Sequence, residues 1–298
     1  MTKYALITGA SSGIGYCLAE GLSQRGYTVI GCSPPQVLYG QKPLEKKYGL
    51  ISIPLDITNV ANIDAVAKQV GEITQGKLAI LYNNAGISIA GPAIEIDEDA
   101  LDKLFQVNVL GHINVTKAMA PYVINAKGTI VYTSSVAARV PLSWVSAYNA
   151  TKAAIDAYAQ TLHGEMKPFG VRVHSVITGG VDTAICDANV RTSLGESYYE
   201  VPGVYDSIRS SAMMSRDVNI SPEQYAREIV VDLHRWRDPG FNLYHGARSY
   251  LLHWVSRWLP LWLVEFGVQY HFKQLKVLNY VAKLVKSGKY TRKHIKED

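Results

Sequence analysis

Tyr148 and Lys152 are the residues whose types and spacing point most directly to proton chemistry. They lie four positions apart in a segment with a helical pattern, so their side chains project from one helix face. A free phenol titrates at about pH 10, and a neighbouring cation favours its ionised form. A chain of this composition contains about one such pair by chance, so the spacing alone carries little weight. In the context of the motifs described below, the pair predicts a tyrosine that exchanges a proton with a substrate, assisted by the lysine. The alternative is a surface tyrosine beside a solvated lysine.

Ser135 lies thirteen residues before Tyr148, at the end of an apolar run typical of a buried strand. In a doubly wound sheet, ligands bind at the carboxyl ends of the strands. A serine hydroxyl at that place can donate a hydrogen bond to a carbonyl oxygen. We therefore expect Ser135 to polarise a carbonyl substrate, with Ser134 as its structural neighbour.

A glycine-rich loop follows the first apolar run and precedes an amphipathic helix. Its glycines are Gly9, Gly13 and Gly15. Glycines in such a loop allow a sharp turn and let backbone N–H groups approach a pyrophosphate, and the helix N-terminus adds a partial positive charge. The loop predicts nucleotide binding, and its alternative is a plain glycine-rich turn.

Short apolar runs that alternate with longer amphipathic segments must hold these residues in place. Patterns typical of buried parallel strands cover residues 4–8, 27–31, 50–54, 78–82, 129–133 and 171–177, and helical patterns cover 13–25, 60–72, 98–126 and 146–169. This alternation predicts an α/β fold with a Rossmann-type, doubly wound parallel sheet. We expect one domain over residues 1–248 and an amphipathic extension over 249–298.

Composition and charge exclude several classes of protein. The 298 residues are 48% hydrophobic and 18% charged, which is typical of globular proteins and not of disordered chains or coiled coils. A net charge of +5, concentrated after Lys273, does not favour a nucleic-acid-binding protein. Three cysteines without CxxC spacing favour neither a disulfide framework nor a zinc site. The strand pattern begins at once, so we expect no cleaved export signal and no secretion.

Ordered motifs over roughly residues 1–185 resemble those of the short-chain dehydrogenase/reductase family. They are the Gly-x-x-x-Gly-x-Gly loop from Gly9 to Gly15, Asp56-Ile57, Asn83-Asn84-Ala85-Gly86, Val107-Asn108-Val109, and Ser135 with Tyr148 and Lys152. The resemblance implies hydride transfer between a nicotinamide cofactor and a carbonyl carbon, with no metal ion. It also implies a homodimer that pairs through the helices containing Asn108 and Tyr148.

The resemblance implies a role for each matching position. Four residues form the expected catalytic set, namely Asn108, Ser135, Tyr148 and Lys152. Asn108 is expected to bend its helix and to hold a water molecule that connects Lys152 with solvent. Where relatives carry a proline before the nicotinamide-binding glycine, this chain has Thr178. The expected cofactor contacts are Gly9, Ser11, Ser12, Gly13, Ile14, Gly15, Ser33, Asp56, Ile57, Asn84, Ala85, Gly86, Tyr148, Lys152, Val181 and Thr183.

The end of the second strand indicates which nicotinamide cofactor the site takes. An acidic residue there binds the ribose hydroxyls of NAD, whereas a basic residue pairs with the 2′-phosphate of NADP. This chain has Ser33-Pro34, which is neither. Because no carboxylate repels a phosphate, and because Ser11 and Ser33 can donate hydrogen bonds to one, we predict NADPH. A nearby basic run offers more distant contacts: Lys42, Lys46 and Lys47.

The C-terminal third contains an aromatic, amphipathic stretch followed by a lysine-rich tail. Trp254, Trp258 and Trp262 recur every four residues, while Arg257 and Pro260 argue against a segment that crosses a bilayer. Tryptophan rings settle at membrane interfaces, and lysines attract anionic head groups. The stretch predicts peripheral binding to a membrane or lipid-droplet surface. The alternative is a helix that packs on its own fold or on a dimer partner.

Within the family, the chain resembles the lipid-directed fungal branch that reduces acyl-dihydroxyacetone phosphate, in segments 105–114, 165–169 and 178–181 and in the aromatic tail. This implies NADPH-dependent reduction of the ketone to lysophosphatidic acid, at the cytosolic face of the endoplasmic reticulum and at lipid droplets. We expect residues 183–221 to form a mobile lid over the substrate. The candidates for binding the substrate phosphate are Arg139, Arg191, Arg209 and Arg216.

Three other functions stay open at this point. A steroid or retinoid carbonyl reductase would share every catalytic residue. A serine lipase is suggested by Gly9-Ala10-Ser11-Ser12-Gly13, which matches Gly-x-Ser-x-Gly with Ser11 as the nucleophile. A nucleotide-binding scaffold without turnover is disfavoured because all four expected catalytic residues are present.

Overall fold

A sheet of seven parallel strands lies at the centre of the molecule. The computed structural model describes residues 2–186, 197–217, 219–288 and 290. The strands are β1 (Lys3–Thr8), β2 (Tyr27–Ser33), β3 (Ile51–Pro54), β4 (Ile80–Asn83), β5 (Thr129–Ser135), β6 (Arg172–Thr178) and β7 (Asn242–His245). Their order across the sheet is β3-β2-β1-β4-β5-β6-β7, so the direction of strand addition reverses between β1 and β4.

Helices cover both faces of this sheet. They are α1 (Gly13–Gln24), α2 (Lys42–Tyr48), α3 (Val60–Thr74), α4 (Glu98–Phe105), α5 (His112–Ala126), α6 (Ser146–Met166), α7 (Val204–Ala212), α8 (Met214–Asp217), α9 (Pro222–Leu233), α10 (Ser249–Trp258), α11 (Leu261–His271) and α12 (Gln274–Lys286). Side chains alternate along each strand, so Leu6 packs with α3, α5 and α6, and Ile7 packs with α1 and α9. The predicted doubly wound α/β fold is confirmed.

The segment predicted as one helix over 98–126 is two helices joined by a π-helical turn. The turn covers Gln106–Gly111, between α4 and α5. Asn108 lies inside the turn and is fully buried. A π-helical turn inserts an extra residue into the helix repeat, and such turns frequently occur at functional sites.

Several elements lie outside the predicted strand and helix patterns, and β7 and α7 are two of them. β7 extends the sheet beside β6. α7 lies inside the predicted lid, and its buried face combines Val204 and Ile208 with two serines, which hides the apolar repeat. Over α7 the chain is therefore a packed helix and not an irregular polar segment. Residues 187–196 and 218 of the predicted lid lie outside the described residues, and the lid itself stays a prediction.

The C-terminal helices α10, α11 and α12 return to the carboxyl ends of the strands. α12 packs on α7 around the buried Val277, near Trp144. Pro260 follows α10 and starts α11, because the residue before a proline disfavours helical backbone. None of the helices in the described ranges combines the length and the apolar character that spanning a membrane requires.

Candidate active site

The carboxyl ends of the central strands open into a cavity of about 1170 Å³. It lies where the strand order reverses between β1 and β4, the place where doubly wound sheets bind ligands. Asn108 and Gly15 lie outside its wall. The other residues of the expected catalytic set and of the expected cofactor contacts all line it: Gly9, Ser11, Ser12, Gly13, Ile14, Ser33, Asp56, Ile57, Asn84, Ala85, Gly86, Ser135, Tyr148, Lys152, Val181 and Thr183.

Lys152 is held beside the Tyr148 ring by the backbone of β5. Its Nζ donates a hydrogen bond of 2.8 Å to the carbonyl oxygen of Thr133 and lies 5.7 Å from the centre of the Tyr148 ring. The side chain is buried, and burial lowers the pKa of Lys152 to about 8 because the charged form loses hydration. The ammonium group thus has a fixed position near the phenol and a protonation equilibrium near physiological pH.

Ser135 ends β5 with its hydroxyl at the cavity wall. Its Oγ accepts a hydrogen bond of 3.1 Å from the N–H of Ala137, which fixes the oxygen atom. The hydroxyl proton points toward the carbonyl oxygen of Thr178 over 3.5 Å, the outer limit of a hydrogen bond. Because so long a bond is weak, the proton is available to a carbonyl oxygen in the cavity.

Asn108 supports the site from behind the cavity wall. Its Oδ1 accepts the N–H of Ile87 at 2.9 Å, and its Nδ2 donates to the Ile87 carbonyl at 2.8 Å and to Thr151 Oγ1 at 3.1 Å. Gly86 lies between Asn108 and Lys152, since a Cβ there would be 3.4 Å from Asn108 Oδ1 and 3.8 Å from Lys152 Nζ. Asn108 therefore fixes the spacing between the loop after β4 and helix α6. Its expected water molecule stays a prediction.

The glycine loop between β1 and α1 is open to a ligand because its glycines lack side chains. Gly9 and Gly13 have φ angles of +70° and +54°, which side chains disfavour. A Cβ at Gly9 would lie 3.0 Å from Ala85 Cα, and one at Gly15 would clash with the carbonyl oxygen of Gly9. Gly15 thus packs the helix against the loop, whereas Gly9 and Gly13 shape the wall. This cradle at a helix N-terminus fits a dinucleotide pyrophosphate.

The loop after β4 is tied to the end of β1. Thr8 Oγ1 accepts the N–H groups of Asn84 at 2.9 Å and of Ala85 at 3.1 Å. His112 Nε2 donates to the Ala85 carbonyl at 2.7 Å. Burial and the nearby Lys152 lower the pKa of His112 to about 3, so the ring is neutral and its proton is on Nε2. His112 lies four residues after the predicted Asn108, but no motif in the sequence indicates this role.

β2 ends at Ser33, whose side chain is an uncharged hydroxyl. The family that the motifs resemble usually has a charged residue at this place. Ser33 Oγ accepts the N–H of Ser11 at 3.2 Å and Gln41 Nε2 at 3.0 Å, which leaves its own proton to be donated. Lys47 forms an ion pair of 3.1 Å with Glu20. The lysines expected as distant phosphate contacts do not line the cavity: Lys42, Lys46 and Lys47.

The segment after β6 also differs from the pattern of the resembled family, because Thr178 stands in place of a proline. A hydrogen bond nevertheless holds this segment in position. Thr178 Oγ1 forms a hydrogen bond of 2.7 Å with the hydroxyl of Tyr225 on α9, so the residue that replaces proline gains an anchor. Val181 and Thr183 then reach the cavity wall. A Cβ at Gly13 would lie 3.4 Å from Thr183 Cγ2, which places Thr183 directly over the glycine loop.

A family model described as short chain dehydrogenase matches residues 3–193. The chain belongs to the short-chain dehydrogenase family. It is accordingly an oxidoreductase that acts on CH–OH or C=O groups, and the resemblance seen in its motifs is confirmed.

Relatives of this short-chain dehydrogenase extend the match beyond the family model. The chain is similar to the "NADPH-dependent 1-acyldihydroxyacetone phosphate reductase" of Saccharomyces cerevisiae, with 39% identity over 282 residues, 93% of each chain. A protein of the same name from Schizosaccharomyces pombe is 41% identical over 189 residues, 61% of each chain. The crystal structure of a short-chain dehydrogenase from Streptomyces avermitilis aligns with a TM-score of 0.73 and 27% identity over 94% of this chain and 98% of that one.

In this short-chain dehydrogenase, α10 and α11 form one end of the cavity. The sequence pattern of these helices predicts a surface-binding stretch or a packed helix, and does not indicate that they cover the site. An apolar wall of this kind binds alkyl groups and excludes water from the reacting atoms. Its side chains are Leu252, Val255, Leu259, Leu263, Val264, Val268 and Phe272.

None of the described arginines predicted to bind phosphate lines the cavity. Arg139 and Arg216 form ion pairs with aspartates within the fold, so their charges are already compensated. Arg209 is exposed on α7, outside the cavity wall. Arg191 lies outside the described residues. Arg139 pairs with the buried Asp156, so the structure gives its phosphate contact no support and the contact stays a prediction.

Arg248 is a cation that the cavity wall does contain. It directly precedes α10 with a φ angle of +59°, and no ion pair with it forms in the described part of the chain. Its neighbour Ala247 exchanges backbone hydrogen bonds of 3.0 and 2.9 Å with Gly180. These bonds hold Arg248 close to the segment expected to contact the nicotinamide.

Proposed function

We propose that the protein is an NADPH-dependent carbonyl reductase that converts 1-acyldihydroxyacetone phosphate into lysophosphatidic acid. The observation that carries this proposal is the cavity, which joins the glycine loop, the Tyr148 site and the apolar wall of α10 and α11 in one space. A dinucleotide, a ketone and an acyl chain each meet a matching surface there. The likeness to two fungal reductases of that name supports the substrate.

The chain's own part in the reaction is to orient the ketone and to deliver a proton. When bound, NADPH supplies a hydride to the carbonyl carbon. Ser135 Oγ donates a hydrogen bond to the carbonyl oxygen, and Tyr148 transfers its hydroxyl proton to that oxygen as negative charge develops there. The Lys152 ammonium, which lies near the Tyr148 ring, stabilises the tyrosinate that remains, since a nearby positive charge favours the ionised phenol.

The end of β2 favours NADPH over NADH. A carboxylate there would repel a 2′-phosphate, and this chain has Ser33, whose hydroxyl proton is free to be donated. The two fungal relatives are named NADPH-dependent, which agrees with this choice.

Arg248 is the residue to which we assign the substrate phosphate. A guanidinium group binds phosphate through charge-assisted hydrogen bonds, and this one lines the cavity without an ion pair to any of the described residues. The acyl chain then extends along the apolar wall, so the two ends of the substrate have separate binding surfaces.

The proposal includes the location of the protein in the cell and its oligomeric state. We infer a peripheral protein at the cytosolic face of the endoplasmic reticulum and at lipid droplets, and a homodimer that pairs through the helices of Asn108 and Tyr148. The exposed Trp258 and Trp262, followed by the lysines of α12, support a surface-binding role. Cell fractionation and light scattering of the purified protein test these two statements.

The experiment that tests the activity is an assay of NADPH oxidation by absorbance. Purified protein receives NADPH or NADH together with palmitoyl-dihydroxyacetone phosphate, and a steroid ketone and a retinoid aldehyde are assayed in parallel. Turnover of the phosphate ester with NADPH supports the proposal. Turnover of only the steroid or the retinoid contradicts the proposed substrate. Turnover of the ester only with NADH contradicts the proposed cofactor. Both outcomes leave the family assignment intact.

The serine lipase has little support from the geometry. Ser11 belongs to the cofactor loop, and in the described part of the chain no histidine ring forms a hydrogen bond with its hydroxyl. A hydrolase of that type needs such a base beside its nucleophile. Inactivation by a serine-directed phosphonate that is lost in Ser11→Ala would restore this alternative.

A further inference from the structure

Helices α10 and α11 have two apolar faces, and only one of them is used by the fold. The inner face lines the cavity with side chains such as Leu252 and Val264. The outer face exposes large apolar side chains to solvent: Tyr250, Leu251, Trp258, Leu261, Trp262, Phe266 and Tyr270. A soluble protein rarely exposes so many large apolar groups together, and such a patch marks an interaction surface.

The two faces meet at the break between the helices. Leu259 and Leu263 line the cavity and are also 41% and 37% exposed. They flank Pro260, where α10 has ended and α11 has not yet begun. At this break, apolar surface continues from the outside of the protein into the site.

The charges around the outer face identify what it contacts. Over residues 249–288 the only acid is Glu265. The same stretch carries five permanent cations: Arg257, Lys273, Lys276, Lys283 and Lys286. Exposed tryptophans with surrounding lysines and a low acid content complement a lipid surface that carries anionic head groups. A second copy of the chain would bring the same positive charges together and be repelled.

We propose that α10 and α11 lie on an anionic phospholipid surface and that the gap beside Leu259 and Leu263 is the portal through which the acyl chain enters the cavity. This rests on the proposed lipid ketone as substrate. Every methylene group transferred through water has a hydration cost, and a continuous apolar path avoids that cost. The acyl chain thus stays in apolar surroundings while the ketone reaches Tyr148, and the phosphate reaches Arg248 on the polar side of the cavity.

The test compares an outer-face variant with a matched control. Trp258→Glu/Trp262→Glu changes two exposed rings, 75% and 67% accessible, that do not line the cavity. Trp236→Glu changes a ring that is 91% exposed and lies before β7, outside the C-terminal helices. Each protein is assayed with palmitoyl-dihydroxyacetone phosphate in vesicles of phosphatidylcholine and phosphatidylserine, and with the water-soluble butyryl ester. Vesicle binding is measured by flotation.

The expected result is a loss of at least about tenfold in vesicle binding and in kcat/KM for the palmitoyl ester in the double variant only. Turnover of the butyryl ester stays at the wild-type level in all three proteins. If the wild type reduces neither ester, the proposed function fails. If the double variant no longer binds vesicles but keeps the wild-type kcat/KM for the palmitoyl ester, the proposal of a portal is wrong. If the variant changes the oligomeric state and not vesicle binding, the outer face contacts a second copy and the proposal is overturned.

A second variant tests the portal itself and leaves the outer face intact. Leu263→Trp enlarges a side chain at the gap. We expect it to lower kcat/KM for the palmitoyl ester at least about fivefold while vesicle binding is unchanged. An equal loss of kcat/KM for the butyryl and palmitoyl esters would show that the substitution distorts the site rather than narrowing the path of the acyl chain. That result would contradict the proposed portal.

Discussion

Arg139 and Asp156 form an ion pair that ties the turn after Ser135 to the helix that carries Tyr148. Asp156 is buried and also accepts a hydrogen bond of 2.6 Å from Ser175 Oγ in β6. One turn, one helix and one strand therefore meet at a single carboxylate. We infer that this pair fixes the distance between the serine and the tyrosine hydroxyls.

Arg139→Ala should lower both stability and turnover. Asp156 is buried whereas Arg139 is partly exposed, so removing the arginine leaves a buried carboxylate uncompensated. We expect the free energy of unfolding to fall by at most about 3 kcal/mol. kcat should fall more than the affinity for NADPH, because the glycine loop is untouched. Denaturant unfolding and steady-state kinetics measure the two effects. Arg209→Ala, on the exposed side of α7, is the control, and a folded Arg139→Ala protein with unchanged kcat would refute the positioning role.

The polar half of the site was predictable because each of its residues follows a visible strand or belongs to a helix with a clear repeat. Ser135 ends an apolar run, and Tyr148 and Lys152 share a helix face, so strand order alone brings them together. Asn108 and a bend of its helix were expected from the motif, but the π-helical form of that turn was not, since one extra residue hardly changes the hydropathy repeat.

The apolar half of the site was not predictable for a physical reason. The sequence of an amphipathic helix shows that the helix has an apolar face, but it does not show which surface that face covers. α10 and α11 carry apolar residues on both faces, and only long-range packing decides that Val255 and Val264 face the cavity while Trp262 faces out. Arg248 was missed for the same reason, because its position depends on the pairing of Ala247 with Gly180.

Tyr148→Phe should abolish ketone reduction and leave cofactor binding intact. The substitution removes the hydroxyl and keeps the ring, so the proton donor is lost and the packing is not. We expect kcat to fall by at least about 100-fold, the range for loss of a general acid. NADPH affinity, measured by fluorescence titration, should stay within about threefold. Tyr280→Phe on α12 is the control, and near-normal reduction by Tyr148→Phe would remove Tyr148 from the mechanism.

Lys152→Met should change how stability depends on pH. In the folded protein the pKa of Lys152 is about 8, below its ordinary value of 10.5, so the unfolded chain binds more protons between these values. Wild-type stability relative to the variant should therefore be constant below about pH 8 and rise from pH 8 to 10.5. Denaturant unfolding of both proteins at several pH values measures this difference. A difference that falls with pH would show that the lysine is stabilised as a cation in the fold.

Ser33→Asp should reverse the cofactor preference. The carboxylate can accept the same N–H groups of Ser11 and Gln41, so the loop keeps its hydrogen bonds. Its negative charge repels a 2′-phosphate and binds ribose hydroxyls. We expect the ratio of kcat/KM for NADPH over NADH to fall by at least about tenfold. Ser33→Ala serves as the comparison, because it removes the hydrogen-bond acceptor without adding charge. It should weaken the binding of NADPH without strengthening the binding of NADH.

Arg248→Met should separate binding of the phosphate from binding of the acyl chain. A hydrogen-bonded charge pair contributes about 1.5 to 3 kcal/mol, so KM for palmitoyl-dihydroxyacetone phosphate should rise about 10-fold to 100-fold. KM for palmitoyl-dihydroxyacetone, which has no phosphate, should stay unchanged because the apolar wall is intact. Arg209→Met, which lies outside the cavity, should affect neither substrate. Equal losses for both ketones in Arg248→Met would mean that the residue supports the start of α10 and does not contact the phosphate.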